Sequence, residues 1–113
     1  MTSANNFIAN LLPFERERNV EIIQRKVQDE RAYQVKKFKH QHKHPFVWLG
    51  AAIEEAGECS KAILEDQPEK NLAVEIIQVM AVCQAWLEDM VAGLPPDEIE
   101  ALLTRPPKDV STD

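Results

Sequence analysis

Apolar positions recur along this chain at helical rather than strand spacing. Val20, Ile23, Val27, Ala32, Val35 and Phe38 trace one face of a long helix that begins near Phe14 or Val20 and runs to Lys39. A short amphipathic segment, Ser3–Leu12, precedes it and is stopped by Pro13. The polar His40–His44 stretch and Pro45 close the long helix, and a second runs from about Phe46 to Glu65. Asp66-Gln67-Pro68 reads as a turn, and a third helix spans Glu69 to Val91, with Gly93 as its C-terminal stop. Pro95-Pro96-Asp97 opens a last short helix, Asp97–Leu103. No segment alternates with the period of a strand, and there is no internal repeat. The fold class is all-α: a helical hairpin with a long flanking helix, in one domain over residues 1–105. The polar, proline-containing tail 106–113 is read as disordered.

The second and third helices depart from the usual surface pattern, in which charge covers a broad face opposite one apolar stripe. Between Val47 and Ser60 the only charged side chains are Glu54, Glu55 and Glu58. Between Leu72 and Leu87 the only one is Glu75, three residues before Gln78. Carboxylates on helices apolar nearly all round point toward a bundle interior or cleft, where ionised groups are costly unless a cation compensates them. Glu55 and Glu58 are one turn apart, Glu54 is four residues from Glu58, and Glu75 and Gln78 repeat the spacing on the partner helix. A short turn makes the two helices an antiparallel hairpin, which brings the two pairs of oxygen ligands together. Oxygen-only ligation suits Mg²⁺ or Mn²⁺ rather than zinc. The competing reading is plain surface charge beside small residues such as Ala51 and Ala62.

Composition narrows the partners. A length of 113 residues fits one core. The net charge of −6 argues against sequence-independent binding to nucleic acid. The basic stretch Lys36–His44 is a local exception, read either as a phosphate contact or as a solvated helix end. Its three alternating histidines, His40, His42 and His44, lack a further ligand to complete a zinc or nickel set. Cys59 and Cys83 form no C-x-x-C pair and read as buried free thiols of a reducing cytoplasm. No secretory signal or membrane-length apolar run is present, so a cytoplasmic location is expected. Neither a P-loop nor a dinucleotide-binding glycine pattern occurs.

Glu54-Glu55-Ala56-Gly57-Glu58, followed by Glu75-Ile76-Ile77-Gln78, resembles the E-E-x-x-E and E-x-x-D pattern of the MazG-like all-α nucleoside triphosphate pyrophosphohydrolases. Dimeric dUTPases and phosphoribosyl-ATP pyrophosphohydrolases are relatives of that group. His44–Leu49 leading into Glu54–Ala62 looks like the family's second helix, and Asn71–Val79 continuing to Ala85–Glu88 like its third. Asp29–Gln34 resembles the preceding helix, so the likeness covers roughly Asp29 to Glu88, about half the chain. It implies Mg²⁺-dependent cleavage of a (d)NTP to (d)NMP and pyrophosphate, with house-cleaning of non-standard nucleotides as one use. It also implies Glu55, Glu58 and Glu75 as metal ligands, with Glu54 assisting a second metal or orienting the attacking water. The family's last ligand is typically Asp, whereas this chain has Gln78, whose carbonyl coordinates without adding charge. That departure keeps open a second function, a nucleotide- or metal-binding relative with weak or no turnover. A helical interaction module with structural carboxylates is the third.

Other side chains complete the expected pocket. Trp48, about two turns before Glu55, is either a stacking surface for a nucleobase or a core tryptophan. Trp86 reads as core. Lys61 either reaches a phosphate or pairs with Glu54, Glu58 or Glu65, and Lys36 and Lys37 add charge from the first helix. Beyond the third helix only Arg105 and Lys108 offer cations, fewer polar and basic groups than full-sized relatives carry. Three helices, two of them apolar all round, cannot cover their own surface, which predicts a homodimer or homotetramer built around a four-helix bundle.

Overall fold

The computed structural model describes residues 12–106, and within them the chain is entirely helical. Four helices follow in order: α1, Pro13–Phe38; α2, Pro45–Leu64; α3, Glu69–Val91; and α4, Pro96–Leu103. Three of them carry a proline in the first turn, where a missing N–H costs nothing and the fixed φ suits the helix. The segment expected over Ser3–Leu12 lies outside the described residues apart from Leu12, whose N–H donates to the Glu15 carboxylate at 3.2 Å and starts α1. The tail beyond Pro106 also lies outside them.

Between α2 and α3 the chain reverses through Asp66, which holds φ 52°. The Gln67 N–H reaches back to the Ala62 carbonyl at 2.9 Å and the Asp66 N–H to Ile63 at 3.1 Å. This pair satisfies the last carbonyls of α2 and aims the chain into an antiparallel return. Gly93, with φ 86°, ends α3 in the same left-handed region. Both α1 and α2 pack on α3, which is the central element of the described fold.

The packed interior is small. Val27, Trp48, Ala62, Ala81 and Ala85 are its buried apolar residues, and no large side chain is fully enclosed. The packed face of α1 departs from the apolar stripe read from the sequence. Val27 is buried as expected, but Ile23, Ala32 and Phe38 are exposed and Arg31 is buried. An arginine takes a core position because Glu88 of α3 receives its guanidinium through two hydrogen bonds, Nε to Oε2 at 3.0 Å and Nη2 to Oε1. The expected burial of the two cysteines also changes, while both are free thiols as expected. Cys59 is half-buried and Cys83 exposed. Trp86, expected in the core, is only half-buried. No described helix is long and apolar enough to cross a membrane.

Candidate functional site

A cavity of about 700 Å³ opens over α3, walled by α1 and α2 and closed at one end by the α1–α2 connection. Its lining includes Glu30, Arg31 and Gln34 of α1, Trp48 and Glu55 of α2, and Gln78, Glu88 and Asp89 of α3. The spacing Trp48, Glu55 puts two turns of α2 along one wall, as helical geometry requires.

Glu55 is the electrostatic centre of this wall. It is half-buried, and its carboxyl is raised above the ordinary range, first by burial and then by the charges of Glu75, Glu54, Glu58 and Glu30. Carboxylates of three helices therefore act on one group. Gln78 lines the cavity beside them, and Glu75 is half-buried on α3. Glu54 and Glu58 lie on the exposed flank of α2. No three carboxylate, imidazole or thiol groups among the described residues stand close enough together to hold a metal ion as placed. Glu30 was not singled out in the sequence, because its neighbour Glu55 lies on another helix and no local spacing signals the pairing.

The remaining candidates divide. Trp48 is 8% exposed and lines the cavity, its indole N–H donating to Asp89 Oδ2 at 2.8 Å. Lys61 is exposed, lies outside the cavity lining and takes part in none of the ion pairs of the described residues. The Lys37 ammonium rests over the rings of Tyr33 and Phe38, at 5.7 and 5.1 Å from their centroids, and is likewise outside the lining. Arg105 is exposed at the C-terminal edge, and Lys108 lies outside the described residues.

Sequence reasoning missed two polar constructions at this site. In the first, Asp89 anchors the α1–α2 connection. Its carboxylate accepts from the Lys43 backbone N–H at 3.0 Å, the Trp48 indole and the His42 ring at 2.8 Å. These donors, Lys43 foremost, hold its pKa down at about 2. In the second, a chain of side chains joins α1 to α3. Gln34 links Glu30 to Arg31, Arg31 binds Glu88, and Gln84 joins Glu88 to Gln28. The guanidinium of Arg31, foremost, keeps Glu88 below its usual range. Two of the three histidines make structural contacts here: His44 Nδ1 caps α2 by accepting from the Phe46 N–H at 3.1 Å, and His42 meets Asp89.

No protein-family model, curated protein or solved structure matches the chain.

Proposed function

We propose that the chain is a Mg²⁺-dependent nucleoside triphosphate pyrophosphohydrolase of the MazG-like kind, converting a (d)NTP and water to (d)NMP and pyrophosphate. The observation that supports it best is the negative charge that Glu75, Glu54, Glu58 and Glu30 exert on Glu55, which lines, with Glu30 and Gln78, a cavity large enough for a nucleotide. Such crowding raises the energy of the ionised cluster, and a divalent cation is the ligand that relieves it. The donors are all oxygens, which fits Mg²⁺ or Mn²⁺. When bound, the ion supplies neutralisation of the polyphosphate charge and a more acidic water. Glu55, Glu58 and Glu75 would hold it once their side chains turned toward one another, with the Gln78 carbonyl as a neutral fourth donor, and Glu54 would orient the attacking water. Trp48, buried and with the Lys43 ammonium over its ring, forms part of the cavity wall.

The same reading includes a second copy of the chain. Phe46, Leu49, Ile53, Ala56, Ser60 and Ile63 of α2 are all exposed, and so are Ala73, Ile76, Met80, Cys83, Leu87 and Met90 of α3. Both runs step by three and four, the spacing of a helix-packing seam. Joined face to face with their copies, the two antiparallel helices make a four-helix bundle.

Gln78 favours a second reading, a nucleotide-binding relative with little turnover, since it removes one negative charge from the ligand set. Pyrophosphate release from a panel of ordinary and modified NTPs and dNTPs, with Mg²⁺ or Mn²⁺, separates them. The wild type releases pyrophosphate, and Glu58→Ala lowers the rate by roughly a hundredfold or more. Absence of release from a protein that Mg²⁺ stabilises leaves the binding relative. Absence of any response to Mg²⁺ leaves a helical interaction module.

A further inference from the structure

The connection Lys39–His44 has no part in the chemistry above, yet two independent features mark it. The first is backbone. Lys39 holds φ 67° and ψ −179°, a region that glycine enters freely and a residue with a Cβ occupies at a cost. It stands where α1 ends, its N–H on the Val35 carbonyl at 2.8 Å, the kind of position glycine usually fills. A lysine here keeps the backbone strained.

The second feature is placement. Lys39, His40, His42 and Lys43 all line the cavity that holds Glu55. The connection meets α2 at Pro45, about 15 Å along the helix axis from Glu55, within reach of a nucleotide extended between them. The chain is also fastened in place. Asp89 holds the Lys43 N–H and the His42 ring, Gln41 donates to the Phe38 carbonyl at 3.2 Å, and the Lys43 ammonium sits 4.7 Å from the Trp48 ring centroid. Two carboxylates of the cavity lining are already engaged, Glu88 by Arg31 and Asp89 by its three donors. Neither Lys39 nor Lys43 forms an ion pair among the described residues.

We propose that Lys39, with Lys43 and His42 beside it, forms an anion subsite of this cavity that takes the phosphate tail of the nucleotide. The identity of that ligand rests on the pyrophosphohydrolase reading. The strain and the charge explain each other: a glycine at position 39 relaxes the backbone and deletes the ammonium, and the chain retains the ammonium. Fixed cations bind a polyphosphate without first being ordered, which is where the pinning by Asp89 contributes.

The experiment compares wild type, Lys39→Gly and Lys39→Ala by thermal melting and by calorimetric titration with inorganic triphosphate in the absence of divalent ions. Lys39→Gly melts higher by roughly 2–6 °C and binds triphosphate roughly tenfold more weakly. Lys39→Ala, which loses the charge and keeps the strained backbone, shows the same loss of affinity without the gain in melting temperature. Unchanged triphosphate affinity in either variant, or no binding by the wild type, overturns the subsite. A Lys39→Gly melting temperature at or below the wild-type value overturns it too, because the strain that marks the residue is then absent. Turnover of (d)NTPs with an unchanged KM in Lys39→Gly leaves the enzyme standing and rejects the subsite. Weakened triphosphate binding in a chain whose wild type turns over no nucleotide keeps the subsite and rejects the enzyme.

Discussion

At the scale of single residues, two carboxyl groups at the cavity respond to acid in opposite senses. Glu55 titrates above its ordinary value because burial and four neighbouring glutamates disfavour its charge, so its ionised form costs stability at neutral pH. Protonation or a cation removes that cost. Asp89 is the reverse, held down at about 2 by the Lys43 N–H, the Trp48 indole and His42. Because its folded-state pKa lies below the ordinary 3.8, the contacts it makes are fully present above that value. They are lost as pH falls from about 4 through 2. In a Trp86→Phe background, where emission reports Trp48 alone, the wild-type spectrum holds steady at pH 5 and shifts only below about pH 4. Asp89→Ala gives the shifted spectrum already at pH 7 and melts several degrees lower. A flat emission profile down to pH 2 counts against Asp89 as the anchor.

At the scale of elements, what could be read in advance depended on whether the signal was local. α3 runs over Glu69–Val91 as the sequence indicated, because Pro68 and Gly93 mark its ends with backbone preferences that need no partner. The hairpin turn was legible for the same reason, and the starts at Pro45 and Pro96 fall one residue before the expected Phe46 and Asp97. The packed face of α1 was not, because Arg31 is made a core residue by Glu88, 57 positions away. The Asp89 anchor also depends on distant residues, since His42 and Lys43 lie 47 and 46 positions from it. Of the candidate site, the grouping of Glu55 with its helical neighbours and Gln78 was readable from spacing, while Glu30 was supplied by tertiary packing. The Arg31–Glu88 pair fixes how α1 sits on α3, so its loss is felt by the whole helix. Arg31→Met keeps the aliphatic packing and removes three hydrogen bonds, for a loss of about 1–2 kcal/mol once solvent screening at the partly exposed Glu88 is allowed for. Arg31→Met with Glu88→Leu recovers most of that loss, because no unpaired charge is left behind. Denaturant titration of the two single variants and the double variant measures this. Strictly additive losses mean that the two side chains do not act as a pair.

At the scale of the whole molecule, the described residues bury few apolar side chains. Their core consists of three alanines, a valine and a tryptophan, while Phe46 is 76% exposed, Ile53 61% and Leu64 84%. Scattered exposed apolar residues are ordinary, but a seam of exposed positions on each of two packed helices fits the interface proposed above. Glycine supports the same conclusion. Gly50 and Gly57 lie inside α2, where each costs about 1 kcal/mol relative to alanine, and a Cβ at either position meets nothing within 4 Å. The described residues give no packing reason for them, whereas the four-helix bundle proposed above would give one. A two-fold axis uses each seam residue twice, so one charged substitution places two charges in the bundle core. Wild type at tens of micromolar is therefore expected at twice the 12.9 kDa chain mass or more by light scattering after size exclusion. Ile53→Lys with Ile76→Lys is expected at the single-chain mass, with a lower melting temperature and greater binding of a hydrophobic dye. Glu21→Lys, an exposed change on α1 away from both seams, leaves the mass unchanged. A wild type that runs at the single-chain mass shows that α2 and α3 do not build the bundle. A lysine pair that leaves the oligomer intact moves the interface to another face, with the exposed Phe14 and Ile22 of α1 the next positions to substitute.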